Sequence, residues 1–197
     1  SHDGYGLRYG LVHRRILILR DDGSELRGED LLVPNGRKGK RGKVAYAIQD
    51  GGSDWRTIRV IDVASGAILS DDLDWVKFSP IAWNGVGNGF FYSRHPASPK
   101  GKDFVSAVYD HSVYFHRIGT PQSADALVFA SPENRGYYNQ AATSADGRWL
   151  IVRSSTGSDD SYEIRVKDLA DPAAKLTTLV PVRENDWRFV GASGDTL

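Results

Sequence analysis

The stretch that decides the fold is Gln49–Thr57, which reads QDGGSDWRT and lies between two apolar runs, Val44–Ile48 and Ile58–Val63. A looser copy occurs at Gly157–Asp159, which also precedes a strand-like run, Ile164–Leu169. Because a turn-rich segment is followed by a similar strand at two places, the chain is predicted to consist of repeated units.

Short apolar runs, separated by Gly, Pro, Asn, Asp and Ser, recur along the sequence and predict an all-β fold. None of them reaches the length of a helix, and Asn88-Gly89 and Asp146-Gly147 are turn dipeptides placed directly before predicted strands. The predicted strands are Tyr5–Leu11, Ile16–Leu19, Asp30–Val33, Val44–Ile48, Ile58–Val63, Ala67–Leu69, Ile81–Trp83, Phe90–Ser93, Val113–Ile118, Ala126–Phe129, Tyr137–Ala142, Trp149–Val152, Glu163–Leu169, Leu176–Val182 and Trp187–Val190.

The runs that begin at Val44, Phe90 and Trp149 occupy the same place in successive units. Four short antiparallel strands in units of ~40–50 residues are typical of the blades of a β-propeller. A blade is apolar on both faces and cannot bury them alone, so it needs neighbouring blades. The sequence therefore predicts an incomplete propeller of about two whole and two partial blades.

The start of the chain fits this pattern poorly. Residues 1–43 are expected to hold a partial leading blade followed by a linker, because Asn35–Lys43 is basic and rich in glycine. Residues 44–197 are expected to hold the better-matched blades. Since the sequence does not begin with Met, we expect that the chain starts inside a longer natural protein.

The composition excludes several classes of protein. Lys+Arg and Asp+Glu are both 25, and this neutral balance is not that of a nucleic-acid-binding protein. The absence of Cys excludes disulfides, thiolate nucleophiles and cysteine-bound zinc. No apolar run approaches the ~18 residues of a membrane span. Neither a nucleic acid nor a membrane is therefore an expected partner.

Three motifs that could carry chemistry are better explained by turns and packing. A nucleophile elbow needs a small residue two positions after its serine, and Trp55 stands two positions after Ser53. His111 and His116 are five residues apart, so a strand places them on opposite faces, where they cannot chelate one metal. The acidic run Asp71–Asp74 lacks the spacing of a calcium loop and is predicted to be a solvated turn. We expect no catalytic residue, metal or cofactor.

Several segments together resemble the prolyl oligopeptidase family, and in particular its N-terminal β-propeller. They are Gln49–Thr57 with the strand after it, Trp75–Ser79, Gly89–Arg94 and Tyr114–Ser123. The resemblance extends from Val44 to Leu197 and is most specific at Gly51–Trp55 and Phe115–Ser123.

The resemblance implies a cytosolic or periplasmic serine peptidase that cleaves short peptides after proline. In that family a seven-bladed propeller covers an α/β-hydrolase domain, which carries the catalytic Ser, Asp and His. The matched segment lies before that domain, so the implied role of this chain is non-catalytic. Its expected partners are the hydrolase domain of the parent enzyme and short proline-containing peptides.

The resemblance also implies roles for three residues. Phe78 matches an aromatic residue that faces the substrate cavity, Asp54 matches an acidic residue near the domain interface, and Ser158 matches a cavity-lining position. An aromatic ring offers a flat wall to proline, and a carboxylate can bind a guanidinium bidentately. The alternatives are that Phe78 fills space between blades, and that Asp54 and Ser158 only stabilise their own turns.

A second hypothesis is that the chain is an excised or engineered propeller fragment that serves as a scaffold. The atypical segments Ser1–Arg15 and Arg37–Lys43 favour it. Such a fragment would expose apolar blade faces and edges and is expected to self-associate through them. A third possibility is that the sequence is only part of a complete enzyme, and an intact mass well above 21.7 kDa would show this.

Overall fold

The computed structural model describes residues 42–49, 54–97, 109–157, 159, 161–187, 190–192 and 196, and the strands at 11–19 and 26–34 as backbone. These residues form the strands β1 (Leu11–Leu19), β2 (Leu26–Pro34), β3 (Lys43–Gln49), β4 (Arg56–Asp62), β5 (Ile68–Val76), β6 (Ala82–Trp83), β7 (Gly89–Arg94), β8 (Ser112–Arg117), β9 (Ala126–Phe129), β10 (Tyr137–Thr143), β11 (Trp149–Thr156), β12 (Glu163–Asp168) and β13 (Thr177–Val180). A short 3-10 turn spans Gln122–Ala124. Within the described part of the chain, no helix is long and apolar enough to cross a membrane.

The chain divides into two compact units, residues 1–45 with 60–69, and residues 46–59 with 70–197. In the first unit, β1 and β2 pair as an antiparallel hairpin whose register places Leu11 opposite Pro34 and Leu19 opposite Leu26. The same unit contains a tight turn after Asp62, whose carboxylate accepts hydrogen bonds from the N–H and the hydroxyl of Ser65, both at 2.8 Å.

The second unit contains a four-stranded antiparallel sheet with the order β10-β11-β12-β13, which is one propeller blade. Strands β6, β7, β8 and β9 pair in sequence order and form the blade before it. This blade belongs to a longer sheet of order β3-β4-β5-β7-β8-β9, since Val76 at the end of β5 pairs with Arg94 of β7. Strand β4 buries the alternate residues Ile58 and Val60, and β7 is buried along almost its whole length, as half-buried and fully buried strands require.

The main core lies between these two blades, because β10 packs against β6, β7 and β8. Each large apolar side chain that is fully buried there stabilises the fold by roughly 1.5–3 kcal/mol. This face-to-face burial is what the sequence pattern predicts for blades. The buried members are Ala82, Phe91, Val113, Ala141, Leu150 and Val152.

The hairpin turns of the two blades approach each other through glycines. Gly147 has a φ of 73°, and a Cβ at this position would collide with the backbone of Gly85. Glycine is therefore required there for both the left-handed backbone and the close approach.

The structure confirms the all-β prediction and most of the predicted strands, and it corrects one expectation. The acidic run Asp71–Asp74 is not a solvated turn but part of β5, and Asp71 is buried at 2% exposure. The strand predicted at Trp187–Val190 stays a prediction, since its central residues, 188 and 189, lie outside the described residues. The predicted Tyr5–Gly10 strand segment and linker residues 35–41 lie outside the described residues.

Candidate functional site

The candidate site is built on a break in the strand order, the segment between β5 and β6, which leads into the earlier blade. Strand β5 ends at Val76 and β6 begins at Ala82, and the backbone between them leaves the sheet. Phe78 adopts a φ of 50° and Trp75 a φ of 61°. Both values lie in the left-handed region, which L-residues with large side chains rarely occupy. Unusual backbone of this kind persists only where surrounding contacts determine it, and it clusters at functional sites.

Groups from other parts of the chain fix the backbone of this break. His111 Nε2 contacts the carbonyl oxygen of Lys77 at 2.8 Å, and Gln140 Nε2 donates to the carbonyl oxygen of Phe78 at 2.8 Å. Ser79 Oγ accepts a hydrogen bond from the N–H of Ser93 at 2.7 Å. Three consecutive residues are thus held by groups far away in sequence.

Lys77 lies at the centre of the exposed side chains of the site. Its Nζ is 3.3 Å from Asp54 Oδ2, 5.4 Å from the ring centre of Trp55 and 5.1 Å from the ring centre of Phe78. Phe78 is 42% exposed, and its ring meets Tyr138 edge to face at 5.4 Å. The arrangement presents an apolar ring beside a paired ammonium and carboxylate.

An aromatic layer lies beneath this exposed surface. Trp55 packs edge to face against Trp75 and His95, at 6.0 and 5.7 Å between ring centres. His95 in turn stacks on His111 at 4.7 Å, and His111 meets Tyr138 at 5.5 Å. Aromatic pairs of this geometry add stability beyond the burial of their surface, so the layer is a rigid support for the site.

The two histidines of this layer are neutral. The N–H of Asn139 donates to His111 Nδ1 at 3.0 Å, so the proton of the ring is on Nε2, which donates to the carbonyl oxygen of Lys77. Burial, and then repulsion from His95, lowers the pKa of His111 to about 3. Burial likewise lowers the pKa of His95, and the positive charge of Lys77 adds to this.

A second polar cluster lies inside the earlier blade. His116 donates from Nε2 to Asp71 Oδ1 at 2.9 Å and from Nδ1 to Asp125 Oδ1 at 2.7 Å. Tyr92 donates its hydroxyl to the other oxygen of Asp125 at 2.6 Å, and the N–H of Gly119 donates to Asp71 at 2.5 Å. The side chains of His116, Asp71 and Asp125 are all 0% exposed.

This cluster is structural and has no access to a substrate. Both ring nitrogens of His116 face carboxylate oxygens, so the ring is an imidazolium. Burial by itself would lower its pKa, but the hydrogen bonds to Asp125 and Asp71 outweigh burial and raise the pKa. A histidine that acts as a base needs a free nitrogen, and this one has none.

The structure brings together two of the three predicted site residues. Asp54 and Phe78 both contact Lys77, and both are partly exposed. Ser158 lies outside the described residues, and its predicted role stays a prediction. Strand β4 begins at Arg56, directly after Asp54 and Trp55, whereas a nucleophile elbow leads into a helix.

Lys77 and Tyr138 were missed by reasoning from the sequence. Lys77 carried one local signal, a lone positive charge beside a predicted cavity aromatic in an otherwise apolar stretch. Tyr138 carried none, because its contact with Phe78 joins strand β10 to a segment 60 residues earlier in the sequence. Among the residues that the structure describes, no group of three or more His, Asp or Glu could hold a metal ion.

Four-stranded antiparallel blades packed face to face define this protein as a β-propeller domain. The family model described as "Prolyl oligopeptidase, N-terminal beta-propeller domain" matches residues 39–197. The chain therefore belongs to the prolyl oligopeptidase family.

Named relatives agree with this assignment. The chain is 36% identical over 158 residues to a prolyl endopeptidase of Elizabethkingia miricola, covering 78% of this chain and 21% of the relative. It is 34% identical to a prolyl endopeptidase of Elizabethkingia meningoseptica, with coverage of 78% and 21%. The chain thus spans about a fifth of the length of the curated relatives it matches.

Solved structures show the same fold. A structure from a study of two prolyl endopeptidases superposes with a TM-score of 0.73 at 34% identity, covering 95% of this chain and 29% of that one. Prolyl oligopeptidase B from Galerina marginata, solved as the apo protein, superposes with a TM-score of 0.66 at 25% identity, covering 82% and 23%.

Proposed function

We propose that this chain is the non-catalytic propeller segment of a proline-specific serine peptidase, in which it shapes the substrate cavity and admits short peptides. The observation that carries the proposal is the cluster of Asp54, Lys77 and Phe78 on a left-handed backbone. The family match supports the setting, because the relatives named above are prolyl endopeptidases.

The geometry supports a role for Phe78 as a wall for peptide. A large aromatic ring that is 42% exposed loses the stabilisation of burial, and the left-handed backbone beneath it costs free energy. Contacts with His111 and Gln140 offset part of this cost, and contact of the exposed ring with a ligand accounts for a conformation that local preference does not favour. A flat apolar ring is well suited to the pyrrolidine of proline.

Asp54 is proposed as the interface carboxylate of the same site. Its side chain is 58% exposed although it is paired with Lys77. The exposed oxygen can accept hydrogen bonds from a guanidinium or a peptide N–H. We propose that the hydrolase domain of a longer enzyme supplies this guanidinium or N–H group. We place that enzyme in the cytosol or periplasm.

The proposal is tested by giving the purified chain a short proline-containing chromogenic peptide. We expect saturable binding without turnover, and weaker binding by Phe78→Ala. The control is Leu127→Ala, which removes an apolar side chain of similar exposure, 58%, on edge strand β9. Turnover that a serine-directed inhibitor abolishes would overturn the non-catalytic assignment, and equal binding by both variants would overturn the role of Phe78.

A self-associating scaffold is the second candidate function. The observation that favours it is the exposure of four large apolar side chains on and after β13: Leu179 at 51%, Val182 at 50%, Trp187 at 48% and Val190 at 99%. Apolar surface of this kind beside an edge strand attracts a second copy of the chain. Light scattering over a range of concentrations tests this, and a monomer at all concentrations would exclude it.

A further inference from the structure

The proposal above assigns roles to Phe78 and Asp54, and both of them contact Lys77. We propose that Lys77 is a positioning residue, whose ammonium holds the Phe78 ring and the Asp54 carboxylate as one preformed, charge-balanced recognition site. This inference rests on the proposed function, since it concerns the peptide that the site would take.

The burial of Lys77 is the first argument. Its side chain is 16% exposed, whereas that of its partner Asp54 is 58% exposed. Lysine side chains are rarely buried unless their charge is compensated. Here the compensation comes from one carboxylate and from the faces of Trp55 and Phe78. Cation–π attraction grows as the ammonium loses water, so this burial strengthens both ring contacts.

The backbone is the second argument. The carbonyl oxygens of Lys77 and Phe78 are held by the side chains of His111 and Gln140, so the directions in which the two side chains leave the backbone are fixed. What remains free is the rotation of the Phe78 ring. The ammonium of Lys77 lies over the face of that ring, and Tyr138 meets it edge to face, so the two neighbours restrict the rotation.

The charges around the ammonium are the third argument. His95 and His111 are close to Lys77 but neutral, as their lowered pKa values require. The ion pair of Lys77 and Asp54 therefore leaves the site with no net charge. A balanced site should bind a neutral proline peptide and gain little from a positive charge on it. Without the ammonium, Asp54 would be unpaired and would attract cationic peptides.

The test uses the full chain labelled with fluorophenylalanine, in which Phe78→Leu identifies the ¹⁹F resonance of Phe78. Lys77→Met removes the charge and keeps the length of the side chain, Lys77→Arg keeps the charge, and Lys175→Met is the control at an exposed lysine. Without ligand, we expect Lys77→Met to shift and broaden the Phe78 resonance, while Lys77→Arg and Lys175→Met leave it sharp.

Two peptides then measure the effect on recognition, acetyl-Ala-Ala-Pro-Ala amide and the same peptide with arginine at its first position. For Lys77→Met we expect the Kd of the neutral peptide to rise about tenfold, because the ring loses its restraint. The arginine peptide should lose less affinity, so the preference for it rises about fivefold. Lys77→Arg should restore both values.

The outcomes separate the two proposals. An unchanged Phe78 resonance together with unchanged peptide preference in Lys77→Met would overturn the role of Lys77. If neither peptide binds to the unmodified chain or to any variant, the proposed function is wrong. The ligand-free spectra still decide whether Lys77 orders the Phe78 ring. If Lys77→Met does not fold, Asp54→Asn replaces it. A Phe78 resonance that stays sharp and unshifted in Asp54→Asn, with an unchanged peptide preference, would overturn the proposal.

Discussion

Two clusters of this molecule contain similar charged groups but have different roles. The buried cluster joins an imidazolium to Asp71 and Asp125 at 2.9 and 2.7 Å, with all three side chains 0% exposed. The surface cluster joins an ammonium to Asp54 at 3.3 Å, beside a ring of Phe78 that is 42% exposed. Both pair a cation with carboxylates, but only the second can meet a ligand.

The difference lies in how many of the polar atoms are already used. In the buried cluster both nitrogens of His116 and three of the four carboxylate oxygens have hydrogen-bond partners, and only Asp71 Oδ2 has none among the described residues. In the surface cluster the backbone is left-handed and the carboxylate is mostly exposed. Saturated and buried groups stabilise the fold, whereas exposed groups on an unusual backbone are candidates for binding.

Replacing His116 by Ala should have the largest effect on stability. The change removes the partner of both carboxylates and leaves them buried at 0% exposure. Breaking a buried ion pair in this way costs about 3–5 kcal/mol of the free energy of unfolding. Urea denaturation of the two proteins at pH 7 measures this loss.

The control for this prediction is Arg117→Ala, which changes an exposed residue next to His116 on strand β8. Its effect should stay within about 0.5 kcal/mol. Equal midpoints for His116→Ala and Arg117→Ala would mean that the buried cluster contributes nothing and that the contrast with the surface cluster is wrong.

The two buried histidines should give stability opposite dependences on pH. The pKa of His111 is lowered to about 3, so its contribution is complete above the unfolded value of about 6.5 and is lost as the pH falls towards 3. The pKa of His116 is raised, so its contribution is complete below about 6.5 and is lost as the pH rises through its folded pKa. Each unit of pH costs about 1.4 kcal/mol per group within its window.

Proton NMR of the two imidazole rings checks this directly. The His111 ring should stay neutral at pH 5, and the His116 ring should lose its proton only above the ordinary value of about 6.5. The structure places His95 beside His111, and Asp71 and Asp125 beside His116. Titration of both rings near pH 6.5 would show that neither environment is as buried as described.

Much of this fold could be predicted from the sequence, because local apolar runs bounded by turn residues indicate strands. The acidic run at Asp71–Asp74 gave a wrong prediction, since three aspartates within four residues normally indicate a turn. Its strand is possible because Asp71 pairs with His116 and Gly119, which are far away in sequence. Long-range compensation of charge leaves no local pattern.

The site was predictable only in part. Resemblance identified Asp54 and Phe78, but no pattern in the sequence indicates the left-handed backbone of Phe78 or the position of Lys77 between them. These features depend on His111, which directly precedes β8, and on Gln140 in β10, and both are far from the break in sequence. Tertiary contacts, not local preference, set this conformation.

Replacing Tyr92 by Phe should have an intermediate effect. It removes the hydroxyl that donates to Asp125 at 2.6 Å and accepts from Gln122 at 3.0 Å. An unsatisfied buried acceptor costs about 1–3 kcal/mol, and urea denaturation should show a loss in this range.

Tyr114→Phe is the matched control, because Tyr114 pairs with Tyr92 across β7 and β8 and its hydroxyl has no hydrogen-bond partner among the described residues. It should change the free energy of unfolding by less than about 0.5 kcal/mol. Similar losses for the two tyrosines would place the effect in ring packing and not in the carboxylate cluster.

The smallest expected effect concerns the backbone of the surface cluster. The relative stability of glycine and alanine variants should be opposite at two positions. At Phe78, where φ is 50°, glycine should be more stable than alanine by about 1 kcal/mol, because only glycine enters the left-handed region without strain. At Tyr138, inside strand β10, glycine should be less stable than alanine by about 0.5–1 kcal/mol, because it loses more conformational freedom on folding. Denaturation of the four variants measures both differences under one condition. If alanine is the more stable residue at both positions, the backbone at Phe78 stores no strain, and the argument that ligand contact explains its conformation loses its physical basis.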